Sequence, residues 1–216
     1  MTGSIRMTQA AMGMKITIDT NLQFETPSKL YLNQVKSEPN PRRWLVTSDG
    51  KHFSYNLPNS QRDSVLHENN PNERLVEAVS GGTVQQSVQD IYKATANSIG
   101  DRSPVLDVAI SSIEDLRFLK NQWATISYGG REKIGEEDCY VIKGKWREYG
   151  DAQPSGEYAM FVTDEFAFRR FALRVTLSVS DSNGRSTGPT ELTTVWDANL
   201  KVNGAVDPAL FKVILR

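Results

Sequence analysis

The sequence predicts an α+β protein in which one highly curved antiparallel sheet carries a few helices inserted in the middle of the chain. Three observations predict it. Apolar and polar residues alternate with period two from Met14 to Tyr55, the pattern of strands with one buried and one wet face. Residues 70–120 carry helix-starting motifs and apolar residues at helical spacing. Alternation then returns from Trp123 to Leu200. Strands, helices and strands in that order segregate helices from sheet, and natural strand twist curves such a sheet. The chain reads as a single domain over 1–216, with strands over 3–57, a helical insert over about 70–120 and strands over 123–215. Its 216 residues suit one β-rich domain.

The elements follow in order. Met14, Ile16 and Ile18 alternate with Lys15, Thr17 and Asp19, and Leu22 and Phe24 continue the run. Pro27 breaks it. Leu30 and Leu32 alternate with Lys29, Tyr31 and Asn33, and a polar turn from Glu38 to Arg43 leads to Trp44 and Val46. Asp49-Gly50 before Phe53 and Tyr55 predicts a two-residue hairpin turn with positive φ at the glycine. Asn70, Pro71 and Glu73 read as an N-cap, an N1 proline and an N3 acid, which predicts a short helix to about Val79, stopped by Gly81-Gly82. Thr83 with Gln86 predicts a second helix carrying Val84, Val88, Ile91, Tyr92, Thr95 and Ile99. Ser103-Pro104 opens a third, restarting at Ser112 with Asp115. WATISY, REKIG and DCYVIKGKW read as paired strands with a tight turn. GEYAMFVTD, FAFRRFALRVTLSVS and TELTTVWDANLKV continue the meander, with SDSNGRSTGPT as a polar hairpin loop. Val206 to Leu215 reads as a closing turn and strand.

Composition excludes whole classes. Lys+Arg 25 against Asp+Glu 26 gives a net charge of −1, so no basic face recruits nucleic acid. An apolar fraction of 38% with 24% charged residues is too apolar for a disordered chain. No apolar run approaches the ~18 residues of a membrane helix. The start carries no signal-peptide core, and residue 1 is expected to be a processing boundary rather than a natural beginning. The lone Cys139 forms no internal disulfide.

Catalytic chemistry is scarce. The only histidines, His52 and His67, lie in no HxxxH, HxH or triad-like setting, so no metal site and no nucleophile–base pair is expected. Glu136, Glu137 and Asp138 read as a solvated strand edge rather than an acid/base pair, which would need a buried carboxyl with a raised pKa. Asp181-Ser182-Asn183-Gly184 is followed by Arg185, a cation where a calcium loop needs a ligand. Cys139 reads as a small buried hydrophobe. No catalytic residue, no metal and no cofactor is expected, and the chain is not read as an enzyme. The aromatics Trp44, Phe53, Tyr55, Trp123, Tyr140, Trp146, Phe161, Phe168, Phe171 and Trp196 are spread over nearly every strand. They are either ordinary core or the wall of an apolar cavity.

Four segments carry a family resemblance. GMKITIDTNLQFETPSKLYL (13–32), SDGKHFSYNLP (48–58), IGEEDCYVIKG (134–144) and DPALF (207–211) resemble, in their order and spacing, the LolA-like lipoprotein-sorting proteins of the bacterial envelope. The resemblance implies an incomplete barrel, a strongly curved antiparallel sheet wrapped around a few helices, whose concave face holds acyl chains. It also implies a periplasmic or otherwise extracytoplasmic location. Residues 58–120 are longer and more polar than in the carrier itself, and no single functional residue transfers. Leu30, Leu32, Trp44, Val46, Phe53 and Tyr55 share strand parity, and the resemblance places their face opposite the helices as the expected ligand-binding wall. The implied partners are an apolar ligand, lipid or lipoprotein acyl chains, or another envelope protein. The alternative is an interaction or envelope-stress sensor module of the same fold with a filled core.

Overall fold

A computed structural model describes residues 1–37, 41–56, 74–78, 86–110, 121–147, 155–180 and 186–213. Its strands are β1 (Thr2–Ala11), β2 (Met14–Glu25), β3 (Lys29–Lys36), β4 (Arg42–Asp49), β5 (His52–Asn56), β6 (Arg74–Ala78), β7 (Ser127–Ile134), β8 (Glu137–Trp146), β9 (Gly156–Thr163), β10 (Phe168–Ser180) and β11 (Ser186–Lys201). Short helices accompany them, among the described residues α1 (Val88–Ala94) and α2 (Pro104–Ile110). The hydrogen-bonded strand order is β6-β5-β4-β3-β2-β1-β11-β10-β9-β8-β7. The chain divides into two units: residues 1–5, 18–102 and 201–216 form the first, and residues 6–17 and 103–200 the second.

In the first unit, β2 to β6 are an antiparallel succession whose register sorts residues by face. Leu22 lies opposite Leu32, Leu32 opposite Val46, and Val46 opposite Tyr55. Phe24 faces Leu30, Leu30 faces Ser48, and Ser48 faces Phe53. Because side chains alternate along a strand, these rows stand on one side of the sheet. Leu22, Leu30, Leu32, Val46 and Phe53 on that side are fully buried.

The β4–β5 turn corrects one detail. Asp49 is the last residue of β4 and its carboxylate accepts from the Lys51 and His52 amides at 2.7 and 2.8 Å. The residues between the strands are therefore Gly50 and Lys51, not Asp49 and Gly50. Gly50 has the expected positive φ, 91°, which a β-carbon disfavours.

The first expected helix is not a helix in its described part. Arg74–Ala78 is β6, paired antiparallel with β5 from His52↔Ala78 to Asn56↔Arg74. A segment this short pays the full nucleation cost of a helix for few internal bonds, whereas pairing satisfies the backbone of β5, otherwise a bare edge. The expected cap, Asn70 to Glu73, and the stop at Gly81-Gly82 lie outside the described residues.

The second helix starts later than expected. Its N-cap is Ser87, whose hydroxyl accepts from the Asp90 amide at 3.2 Å while the Asp90 carboxylate accepts from the Ser87 amide at 2.9 Å. Serine is a favoured cap and Asp90 answers it; Thr83 lies outside the described residues. Thr95 closes the helix by donating its hydroxyl back to the Ile91 carbonyl, and a 3₁₀ turn, Ala96–Ser98, follows. At the C-terminal end of the unit the expected closing turn is a 3₁₀ turn, Pro208–Phe211, begun by Asp207 accepting from the Ala209 amide; residues 212–213 after it are not strand, and 214–216 lie outside the described residues. It packs on β3 and β4 and buries Phe211.

In the second unit, β7 to β11 pair in sequence, all antiparallel. Ser103 caps α2, its hydroxyl accepting from the Leu106 amide at 3.1 Å, with Pro104 at the first helical position as expected. The restart at Ser112 lies outside the described residues. Gly129-Gly130 is a bulge inside β7, with a register shift between Tyr128 and Arg131. The polar loop between β10 and β11 falls where expected: Ser180 pairs with Ser186, and 181–185 lie outside the described residues.

Candidate functional site

Four of the six residues expected to wall an apolar site, Leu30, Leu32, Val46 and Phe53, are at most 1% exposed, while Trp44 and Tyr55 are half-buried. The register places all six on one side of β3, β4 and β5, since Gln34 faces Trp44 in the next row. Phe53 and Tyr55 stack with ring centroids 5.9 Å apart. The parity read from the sequence therefore assembles one largely apolar surface, interrupted by Ser48 and extended by Leu22 and Phe24 of β2.

A polar residue in the same parity decides how that surface is covered. Gln34 follows Leu30 and Leu32 on the buried side and is wholly enclosed. Its carbonyl oxygen accepts from the Gly100 amide at 2.7 Å and the Asp101 amide at 3.0 Å. Its amide nitrogen donates to the Asp101 carbonyl at 2.7 Å and to Thr20 Oγ1 at 3.2 Å. A buried amide is tolerated only when so paired. At the other end of β3, the Val88 amide donates to the Pro27 carbonyl at 2.8 Å. The segment from Val88 to Asp101 is thus tied near both ends of β3, with Val88, Ile91 and Tyr92 buried. Trp44 carries an edge of it: a β-carbon on Gly100 would overlap its indole. Arg42 stacks over the Trp44 ring at 5.4 Å. Sequence reasoning missed Gln34. Its signal was an amide at a position where alternation calls for an apolar residue.

The second unit has its own apolar side. Trp146, Tyr158, Phe171 and Trp196 form a ladder across β8 to β11, with successive ring centroids 5.8–6.3 Å apart, and Trp123 stacks on Tyr158 at 6.1 Å. Tyr158 and Phe171 are nearly parallel while the outer contacts are edge-on, the offset arrangements aromatic quadrupoles favour. Burial pushes the Tyr158 phenol above its ordinary pKa and keeps it a donor to the Thr125 carbonyl at 2.9 Å. Helix α2 lies against β10, with Val105, Leu106 and Ile110 buried.

The opposite side of this unit buries Cys139, Val141 and Phe161 at one end and is polar at the other. A trough of about 750 Å³ runs over Ala159 and Ala172, rimmed by Lys143, Lys145, Glu157, Arg174 and Glu191. The Glu157 carboxylate takes Lys145 at 2.5 Å and Arg174 at 3.5 Å, and Arg174 also reaches Glu191 at 3.6 Å. These pairs are exposed and read as a cross-strand charge ladder worth little in stability.

Residues considered for catalysis stand apart. Glu136, Glu137 and Asp138 are exposed. Arg169 hydrogen-bonds Glu137 and holds its carboxyl below the usual range, the opposite of what a general acid needs. Cys139 is buried with Val141 and Phe161, and burial pushes its thiol up. His52 is half-buried on β5, and His67 lies outside the described residues. Among the described residues, no group of three His, Cys, Asp or Glu side chains could hold a metal ion, and no helix is long and apolar enough to cross a membrane.

No family model matches the chain, and no curated protein matches it in sequence. Similarity appears among solved structures. The Pseudomonas aeruginosa MucA/MucB complex is matched at 8% identity and a TM-score of 0.46, covering 98% of this chain and 55% of that one, so the chain spans just over half its length. Mycobacterium tuberculosis lipoprotein LppX is matched at 12% identity and a TM-score of 0.40, over 93% of this chain and 88% of that one. A LolA superfamily protein of Nitrosomonas europaea is matched at 12% identity and a TM-score of 0.29, over 98% and 89%.

Proposed function

We propose that the chain is a non-enzymatic, extracytoplasmic binding protein of LolA-like kind, a single domain over 1–216 whose sheet curves as an incomplete barrel. In this reading the β2–β5 face receives lipid, lipoprotein acyl chains or another apolar ligand. Leu30, Leu32, Trp44, Val46, Phe53 and Tyr55 form the receiving wall. The observation that carries the reading is the way this face is covered. An aliphatic and aromatic surface lies under a short segment, α1 and the 3₁₀ turn after it, which is held near its ends by backbone and amide hydrogen bonds. Displacing the segment would present the surface to a chain-like ligand of the size small-molecule sites accept, several hundred Å³.

The near-zero exposure of Leu30, Leu32, Val46 and Phe53 favours a second reading, an interaction module with a filled core that binds another envelope protein. Trp44→Ala separates the two. Unfolding midpoint and affinity for a fluorescent fatty-acyl probe are measured together on wild type and variant. Probe binding that weakens at small cost in stability supports the ligand reading. A wild type that never binds the probe, with a loss of about 3–5 kcal/mol in the variant, supports the filled core.

A further inference from the structure

The β1–β2 hairpin ends in a turn that is chemically unsuited to its own geometry. Met12 has φ 51° and Gly13 φ 78°, so both central residues are left-handed, as in a type I′ turn. That turn favours asparagine before glycine, because a larger side chain meets its own backbone there. Among the described residues three non-glycines have positive φ; Asn203 is an ordinary occupant, whereas Met12 and Phe166 are not. Met12 is 68% exposed and Met14 63%. Neither methionine recovers by burial what the turn loses by having methionine in it.

The charge around the tip distinguishes it from the other apolar turn. Phe166, 86% exposed, directly follows Asp164 and Glu165. Beyond the tip the first acid is Asp19, four residues past Lys15, and Lys15 is exposed. The apolar run Ala10-Ala11-Met12-Gly13-Met14 is thus followed directly by a cation. Flexible, polarizable thioethers adapt to an irregular apolar environment, and an adjacent lysine pairs with anionic head groups. A few apolar side chains with adjacent cations are the composition of an interfacial membrane contact.

We propose that the tip of the β1–β2 hairpin docks on an anionic lipid surface, Met12 and Met14 entering the head-group layer and Lys15 lying against the phosphates. The contact is separate from the β2–β5 face. It requires no opening of that face and no bound acyl chain.

The test exploits the conflict between turn and tip. The double variant Met12→Asn, Met14→Thr gives the turn its preferred residue and a strand-compatible neighbour, so it folds at least as stably as wild type. Co-sedimentation is measured with vesicles of phosphatidylglycerol and phosphatidylethanolamine, and with phosphatidylcholine vesicles as the neutral comparison. The expected result is binding of wild type to the anionic vesicles, a fall of about tenfold or more in the double variant, equivalent to about 1.4 kcal/mol, and a further fall for Lys15→Glu. Phe166→Asn, which repairs the other turn, leaves vesicle binding unchanged. Wild type that does not sediment with anionic vesicles overturns the proposal, as does a double variant that binds them as well as wild type. Lipid uptake through the β2–β5 face would give that second outcome, so the two readings fail separately.

Discussion

Replacing Gln34 by leucine tests how the β2–β5 face is covered. The side chains are close in volume, so the change leaves little void. What it removes is four hydrogen bonds. The Gly100 amide is at the margin and can turn to water. The Asp101 amide and carbonyl belong to a residue only 8% exposed, and each buried group left without a partner costs about 1–3 kcal/mol. The added apolar burial of leucine returns about 1–2 kcal/mol. The expected net loss is about 2–4 kcal/mol, a fall of roughly 5–15 °C in midpoint for a chain of this length. Urea unfolding reads the loss, and native-state hydrogen exchange reads where it falls, with faster exchange over 88–101 than over β3 and β4. A stability within about 0.5 kcal/mol of wild type, the range of an ordinary surface substitution, would refute the claim that Gln34 holds the segment. Gln34→Glu adds a sign. The neutral carboxyl can donate to the Asp101 carbonyl, while the ionised one sets acceptor against acceptor in a buried place, so its folded-state pKa is raised. The variant is then closest to wild type below the unfolded carboxylate pKa, and loses ground as pH rises through the folded one.

Three further outcomes follow from described contacts. Gly50→Val, at φ 91° with only ordinary contacts around the added carbon, is expected to cost about 1–3 kcal/mol from backbone strain, read as a shift in the urea midpoint at unchanged slope. Cys139 is buried and its thiol pushed up, so an aromatic disulfide reagent should titrate it at the rate of unfolding, and rapid labelling of the native protein would contradict its place in the core. Arg169 holds the Glu137 carboxyl below its ordinary range, so its contribution is present above the unfolded pKa and lost as pH falls through the folded one. The stability difference between wild type and Glu137→Gln should therefore be level at neutral pH and shrink only in the acid limb.

Most of the strands were legible in the chain itself because alternation is a local signal. Once Leu30, Leu32, Val46, Phe53 and Tyr55 are given strand parity, period two places them on a common side before any partner strand is known. The left-handed glycine at Gly50 and the helix start at Ser103-Pro104 were legible for the same reason: a turn or cap is satisfied by residues a few positions apart. Arg74–Ala78 was not, because whether a short segment becomes helix or strand depends on an open edge of β5 that lies elsewhere in the chain. For the start of α1 the sequence offers two capping patterns, Thr83 with Gln86 and Ser87 with Asp90, and the structure shows the second closing the box. Gln34 reads from the sequence as an interruption of an apolar face. Only the tertiary structure brings Gly100 and Asp101, 66 and 67 residues away, to its amide, and only that convergence turns a costly buried polar group into the tie over the face.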